Sequence, residues 1–146
     1  MFAVDLNLVE NINPFQLNIK GQYDVIDINQ SDYINPVDSS NYSFTNRTTT
    51  GYIMAALRPV LSSNNFIKNC EVAARYGNYT TPQNSLMGMK DNSLAIGLNY
   101  WISWRTVVHL TYEVIKSKST ISENLGGTPG SLTQANSIYL QFSIQL

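Results

Sequence analysis

The stretch Asn136-Ser137-Ile138-Tyr139-Leu140-Gln141-Phe142-Ser143-Ile144-Gln145-Leu146 alternates without a break. Apolar side chains stand at 138, 140, 142, 144 and 146, and polar or amphipathic ones at 139, 141, 143 and 145. Successive side chains of a strand point to opposite faces, so the segment predicts a strand with one wholly apolar face and one wetted face. A soluble sheet can use such a strand. A bacterial outer-membrane barrel requires one, because its wall must meet lipid on one side and water on the other.

The same alternation recurs upstream. Phe2 to Val9 places Phe2, Val4, Leu6 and Leu8 on one face, and after the turn-forming Glu10-Asn11-Ile12-Asn13-Pro14 a second strand runs from Phe15 to about Ile28. Thr49 to Leu61 resumes the pattern. Its phase is set by Arg58, since a guanidinium facing hydrocarbon is costly, so Ile53, Ala55 and Leu57 are assigned to the apolar side. Phe66 to about Thr80, Ser93 to Ser103 and Thr106 to about Lys116 are the remaining strands, with turns at Ser62-Ser63-Asn64-Asn65 and Trp104-Arg105. Lys68 falls on the apolar side of its strand, next to a turn where a long side chain reaches the interface. Three segments lack periodicity and read as long loops: Asn29 to Thr48, Thr81 to Asp91, and Ser117 to Ala135.

Composition narrows the functional classes. With 146 residues the chain is one domain, 1–146. Charged residues make up 13%, well below the usual quarter, while neutral polar residues are abundant. A net charge of -1 without any basic run offers nothing to nucleic acid. The single Cys70 forms no internal disulfide and reads as a small outward-facing residue; with one His there is no Cys/His ligand set, and no metal or cofactor is expected. No run of about 18 apolar residues is present, which excludes a transmembrane helix and leaves a transmembrane barrel open. The amino terminus lacks a secretory signal, as expected of a mature or partial chain or of a cytoplasmic protein.

About seven strands result, and their connections alternate short and long. That is the asymmetry of outer-membrane barrels, whose periplasmic turns are short and extracellular loops long. Such barrels have an even number of strands, so an odd count is expected of the carboxyl-terminal portion of a larger barrel, with one unpaired edge in this chain.

Several segments, in order, resemble the carboxyl-terminal part of the Gram-negative porins grouped with the phosphate-selective porins. They are Gly51-Tyr52-Ile53-Met54-Ala55, Glu71-Val72-Ala73-Ala74-Arg75-Tyr76, Gly97-Leu98-Asn99-Tyr100-Trp101-Ile102 and Leu110-Thr111-Tyr112-Glu113. The resemblance covers roughly residues 2 to 146 and implies a barrel of about sixteen strands, assembled as a homotrimer and passing small solutes. The chain departs from the pattern at Leu146, where such barrels end on Phe, and at Ser103-Trp104-Arg105, where an Asn-Pro turn is common. Its basic residues are not clustered into an anion ladder, so phosphate selectivity is not carried over.

With the apolar faces toward lipid, the expected pore-lining charges are Lys20, Asp24, Arg58, Glu71, Arg75, Arg105, His109 and Glu113, with Asp5 on the same side. Mixed charges of this kind tune which ions pass a water-filled pore, Arg58 and Arg75 favouring anions. The competing expectation is that they are wall residues paired across strands, Glu71 with Arg58 or Arg75 with a nearby acid. Phe2, Phe15, Tyr23, Tyr100, Trp104, Tyr112 and Tyr139 are expected in interfacial girdles, against the alternative of core aromatics in a soluble sheet. Catalysis finds no support: His109 has no partner motif, and Gly126 to Gly130 lacks the Lys and Ser/Thr of a phosphate-binding loop. The glycosylation-like triplets at Asn41, Asn46 and Asn78 receive no role.

The sequence therefore reads as an all-β, antiparallel transmembrane meander in the bacterial outer membrane. The expected function is that of a porin passing hydrophilic solutes or ions passively, with lipid and solute as partners and no enzymatic activity. Two alternatives stay open. One is a small closed barrel of about eight strands serving adhesion or anchoring; the other is a soluble lipocalin-like barrel whose apolar face points inward to a ligand.

Overall fold

Seven of the alternating segments hydrogen-bond to one another in chain order. A computed structural model describes residues 1–28, 32–121 and 123–144, with the side chains of Asp32 and Asn124 set aside. The strands are β1 (Phe2–Ile12), β2 (Phe15–Ile28), β3 (Asp32–Ile34), β4 (Asn41–Ser43), β5 (Asn46–Pro59), β6 (Cys70–Thr80), β7 (Met89–Ser103), β8 (Thr106–Ser119) and β9 (Leu132–Ile144). One antiparallel sheet runs β1-β2-β5-β6-β7-β8-β9, and β3 pairs with β4 in a separate hairpin.

Register carries the sequence alternation across the whole sheet. Leu8, Ile19, Ala55, Ala74, Ile96, Tyr112 and Ile138 lie side by side in one row. The next row toward the β1–β2 turn aligns Leu17, Leu57, Val72, Leu98, Leu110 and Leu140, and only Glu10 on the edge strand interrupts it. The phase assigned through Arg58 holds: Ile53 is 55% exposed and Ala56, on the opposite face, 3%. Gln145 and Leu146, the last two positions of the stretch quoted first, lie outside the described residues.

The two edge strands are exposed along both faces, and across the central strands the apolar rows form the more exposed face. The buried apolar residues are Ala56, Ala95, Val107 and Leu125, and among the described residues no large side chain is fully buried. A soluble domain of this length encloses a hydrophobic core; here the apolar rows are left on the outside. From Leu94 to Ile102 the band measures roughly 27 Å along the strand at about 3.4 Å per residue.

The sheet is open. Its two edges are β1 and β9, and they do not pair among the described residues, so the chain does not close into a barrel. Alternating directions make the first and seventh strands of this succession run the same way. At one end of the sheet lie the tight turns Asn13–Pro14 and Trp104–Arg105 and the connection 60–69, which α1 makes longer than the short turn expected there; at the other end lie 29–45, 81–88 and 120–131.

Several boundaries differ from the sequence reading. The segment from Asn29 to Thr48 contains the β3–β4 hairpin, where the Tyr33 and Phe44 rings stack at 4.4 Å. Phe66 does not open a strand. Residues Asn65–Lys68 form a single helical turn, α1, because Asn64 Oδ1 caps it by accepting from Phe66 N at 2.9 Å and Ile67 N at 3.4 Å. Lys68 therefore sits in α1 rather than on the apolar strand face. The third long connection holds a short 3₁₀ turn, Glu123–Leu125, and β9 begins at Leu132, four residues before the clean alternation. Cys70 falls where expected, opposite Tyr100 on the apolar face, with Sγ donating to the Phe66 carbonyl at 3.4 Å.

Candidate functional site

Small residues at the centre of the polar face allow it to curl into a groove. Asn18, Ala56, Ala73, Gly97, Thr111 and Tyr139 form one row across six strands, and the long polar side chains stand in the rows on either side. The groove encloses about 520 Å³ and takes lining residues from β2, β5, β6, β7, β8 and β9.

Five of the charges expected on this face line the groove: Lys20, Glu71, Arg75, His109 and Glu113. In register, Lys20, Met54, Arg75, Ala95 and Glu113 form a single row with the cations toward β2 and β6 and the carboxylate on β8. Arg75 turns away from Glu113 and lies over the Tyr52 ring, its guanidinium carbon 4.8 Å from the centroid.

Arg58, Asp24 and Arg105 are placed apart from these five. Arg58 lines a smaller recess with Asn69 and Trp101, its guanidinium 5.4 Å from the Trp101 ring and its Nε donating to the Lys68 carbonyl at 3.0 Å. Asp24 shares the polar face near the long-loop end, where its carboxylate accepts from Gln22 Nε2 at 2.9 Å. Arg105 stands in the β7–β8 turn and lies over Trp104 at 4.1 Å. Asp5, opposite Gln22, belongs to the polar face of the edge strand.

The expected pairing of Glu71 with Arg58 is replaced by a different contact. Asn99 Nδ2 donates to Glu71 Oε1 at 2.7 Å, and Asn99 Oδ1 faces His109 Nδ1 at 2.7 Å. With its amide group committed to Glu71, Asn99 offers His109 only an acceptor, so His109 carries its proton on Nδ1. Glu71, Asn99 and His109 come from three adjacent strands and form one continuous chain of hydrogen bonds. Among the described residues Arg75, Lys20 and Glu113 form no ion pair.

The sequence reading did not single out Asn99, Trp101 or Asn18. Asn18 Oδ1 and Trp101 Nε1 are buried in the groove wall without a hydrogen-bond partner among the described residues. The available signal was phase: all three fall on the polar side of otherwise apolar strands.

The aromatic residues are more dispersed than two girdles would require. Tyr139 lines the groove, and Tyr112 lies mid-band beside Ile96 and Ile138. Trp104 is 73% exposed in the β7–β8 turn. Among the described residues no group of His, Cys, Asp and Glu is arranged to hold a metal ion. No family model, no curated protein and no solved structure matches the chain.

Proposed function

We propose that the chain is a wall segment of an outer-membrane porin, resembling the phosphate-selective porin family, that passes small hydrophilic solutes or ions. The observation that carries this reading is the inverted face: continuous apolar rows on the outside of a seven-stranded sheet and a charged groove on the inside. Hydrocarbon would solvate the outer rows, the sheet would satisfy its own backbone groups, and water would fill the groove. The two longest connections, 29–45 and 120–131, share one end and the two tightest turns share the other, which supports the same reading. The polar lining of the groove weighs against the lipocalin-like alternative, which needs its apolar face inside.

Closure follows from strand direction. Because β1 and β9 run the same way, an all-antiparallel barrel needs an odd number of further strands between them, supplied by the same chain or by another. One further strand gives the small-barrel alternative; nine would give the sixteen-stranded wall implied by the resemblance, with trimer assembly following from it.

The test is site-directed labelling of the chain inserted in lipid vesicles, in a Cys70→Ser background. Ile96→Cys on the apolar face should resist a membrane-impermeant maleimide, and Thr111→Cys in the groove should react. Equal labelling of the two positions would sink the lipid-facing assignment. Conductance across a planar bilayer then separates an open pore from a filled barrel.

A further inference from the structure

We infer that the outer face carries a binding site for the phosphate of a lipid headgroup, built from Lys90, Lys116 and Lys118 at the long-loop end of the apolar band. The inference rests on the apolar band being lipid-facing. Lys90 and Lys118 are direct register partners on β7 and β8. Both lie on the same face as Leu94, Ile96, Tyr112 and Val114, because strand side chains repeat every second residue. Lys116 lies one row below, next to Asn92 and one row above the Leu94–Val114 pair. One row is about 7 Å along a strand, so the ammonium groups begin where the apolar band stops.

Two features make this more than a solvated fringe. Like charges directly opposite on neighbouring strands repel, yet register fixes Lys90 against Lys118 with Lys116 beside them, and all three are exposed. Among the described residues no acidic group is paired with them, and no Asp or Glu occupies this face of β6, β7, β8 or β9. An anion placed between the strands would relieve the repulsion from outside.

The chemistry selects a lipid over a free anion. An amphipathic lipid lying along the wall sets its acyl chains on Leu94, Val114 and Ile138 and lifts its phosphate to the height of the lysines. Free phosphate satisfies only the second half of that match. Polar Asn78, Asn92 and Gln134, in the same row as Lys116, give the headgroup neutral hydrogen-bond partners at the same level.

The experiment inserts the full chain into vesicles of phosphatidylcholine with and without phosphatidylglycerol, extracts it in mild detergent, and measures the lipid retained by native mass spectrometry. Retained phosphatidylglycerol should exceed its share of the vesicle, and the Lys90→Gln, Lys116→Gln, Lys118→Gln triple variant should lose the enrichment by roughly fivefold per lysine. High salt should lower it and inorganic phosphate should not displace it. Insertion with no preference for phosphatidylglycerol, or an unchanged preference in the triple variant, overturns the inference and leaves the porin reading standing. Displacement by inorganic phosphate also overturns it, as the mark of a simple anion site. Failure to insert into either vesicle removes both together.

Discussion

Arg75 and Glu113 share one register row, separated only by Ala95, and form no ion pair. Their strands are two apart, about 10 Å, which an arginine and a glutamate can together span. Arg75 instead stacks on Tyr52, 4.8 Å from the ring centroid, so the Arg75 and Glu113 charges face the same groove from β6 and β8 without neutralising each other. A groove charged in this way presents a field across its width rather than a neutral lining.

That separation sets the sign of a selectivity prediction. Neutralising Arg58 and Arg75 together as Arg58→Gln and Arg75→Gln should shift the reversal potential in a salt gradient toward cation preference, and Glu113→Gln should shift it toward anions. Each change should alter the permeability ratio about two- to fivefold, the Boltzmann weight of roughly 0.5–1 kcal/mol for a partly screened charge. High ionic strength should shrink both shifts. Identical reversal potentials for all variants would mean that these charges only hold the wall together.

On the outer face, two glycines should respond differently to the same substitution. A Cβ on Gly51 would lie 2.9 Å from Tyr23 Cδ2, 3.1 Å from Asn78 Oδ1 and 3.2 Å from the Gln22 carbonyl, whereas one on Gly21 would lie 3.4 Å from the Tyr52 carbonyl and otherwise meet only ordinary contacts. The Tyr23 ring is the register partner that covers Gly51. Gly51→Ala should therefore cost about 1–3 kcal/mol through displacement of that ring and backbone, and Gly21→Ala much less. Denaturant midpoints of the lipid-inserted variants decide it; equal midpoints would show that the ring moves freely.

The seven-strand order was legible because each strand satisfies a period-two pattern on its own. Arg58 fixed the one ambiguous phase: moving that strand by one residue would turn the guanidinium outward together with Ala56, which the fold buries. What escaped the pattern depended on contacts between distant segments or on short local signals. The β3–β4 hairpin has only three residues per strand, too few for alternation to register, and its ring stack becomes visible only in space. The α1 turn was hidden because Asn64 reads equally as a loop residue and a cap. The groove was half legible. Faces could be assigned from phase, but the linking of Glu71 to His109 through Asn99 needs the register of three strands.

The β3–β4 turn gives a pH prediction outside the main sheet. The Asp38 carboxyl is held below its ordinary range first by the Ser40 hydroxyl, which donates to it at 2.7 Å, and then by the Ser40 amide at 2.9 Å. A lowered folded value means that the ionised carboxylate supports the turn above the unfolded carboxylate range, and the support is lost as pH falls through the folded value. Ser40→Ala should raise the Asp38 titration midpoint, read by carboxyl carbon shifts. An unmoved midpoint would remove the hydroxyl as the cause.

The His109 tautomer offers the most direct check on the groove's hydrogen-bond chain. With Asn99 Nδ2 donating to Glu71, the neutral imidazole must hold its proton on Nδ1, so the ¹⁵N shifts of the neutral ring should report an Nδ1–H tautomer. Asn99→Leu removes the shared partner, leaving a carboxylate and an imidazole N–H without their bonds. It should cost about 1–3 kcal/mol and release the ring to the Nε2–H form favoured in solution. Asn99→Asp keeps an acceptor for His109 but sets a second carboxylate against Glu71, so it should retain the Nδ1 proton while still losing stability through repulsion. An Nε2–H ring in the native chain would contradict the assigned orientation of the Asn99 amide, and with it the continuity of the chain from Glu71 to His109.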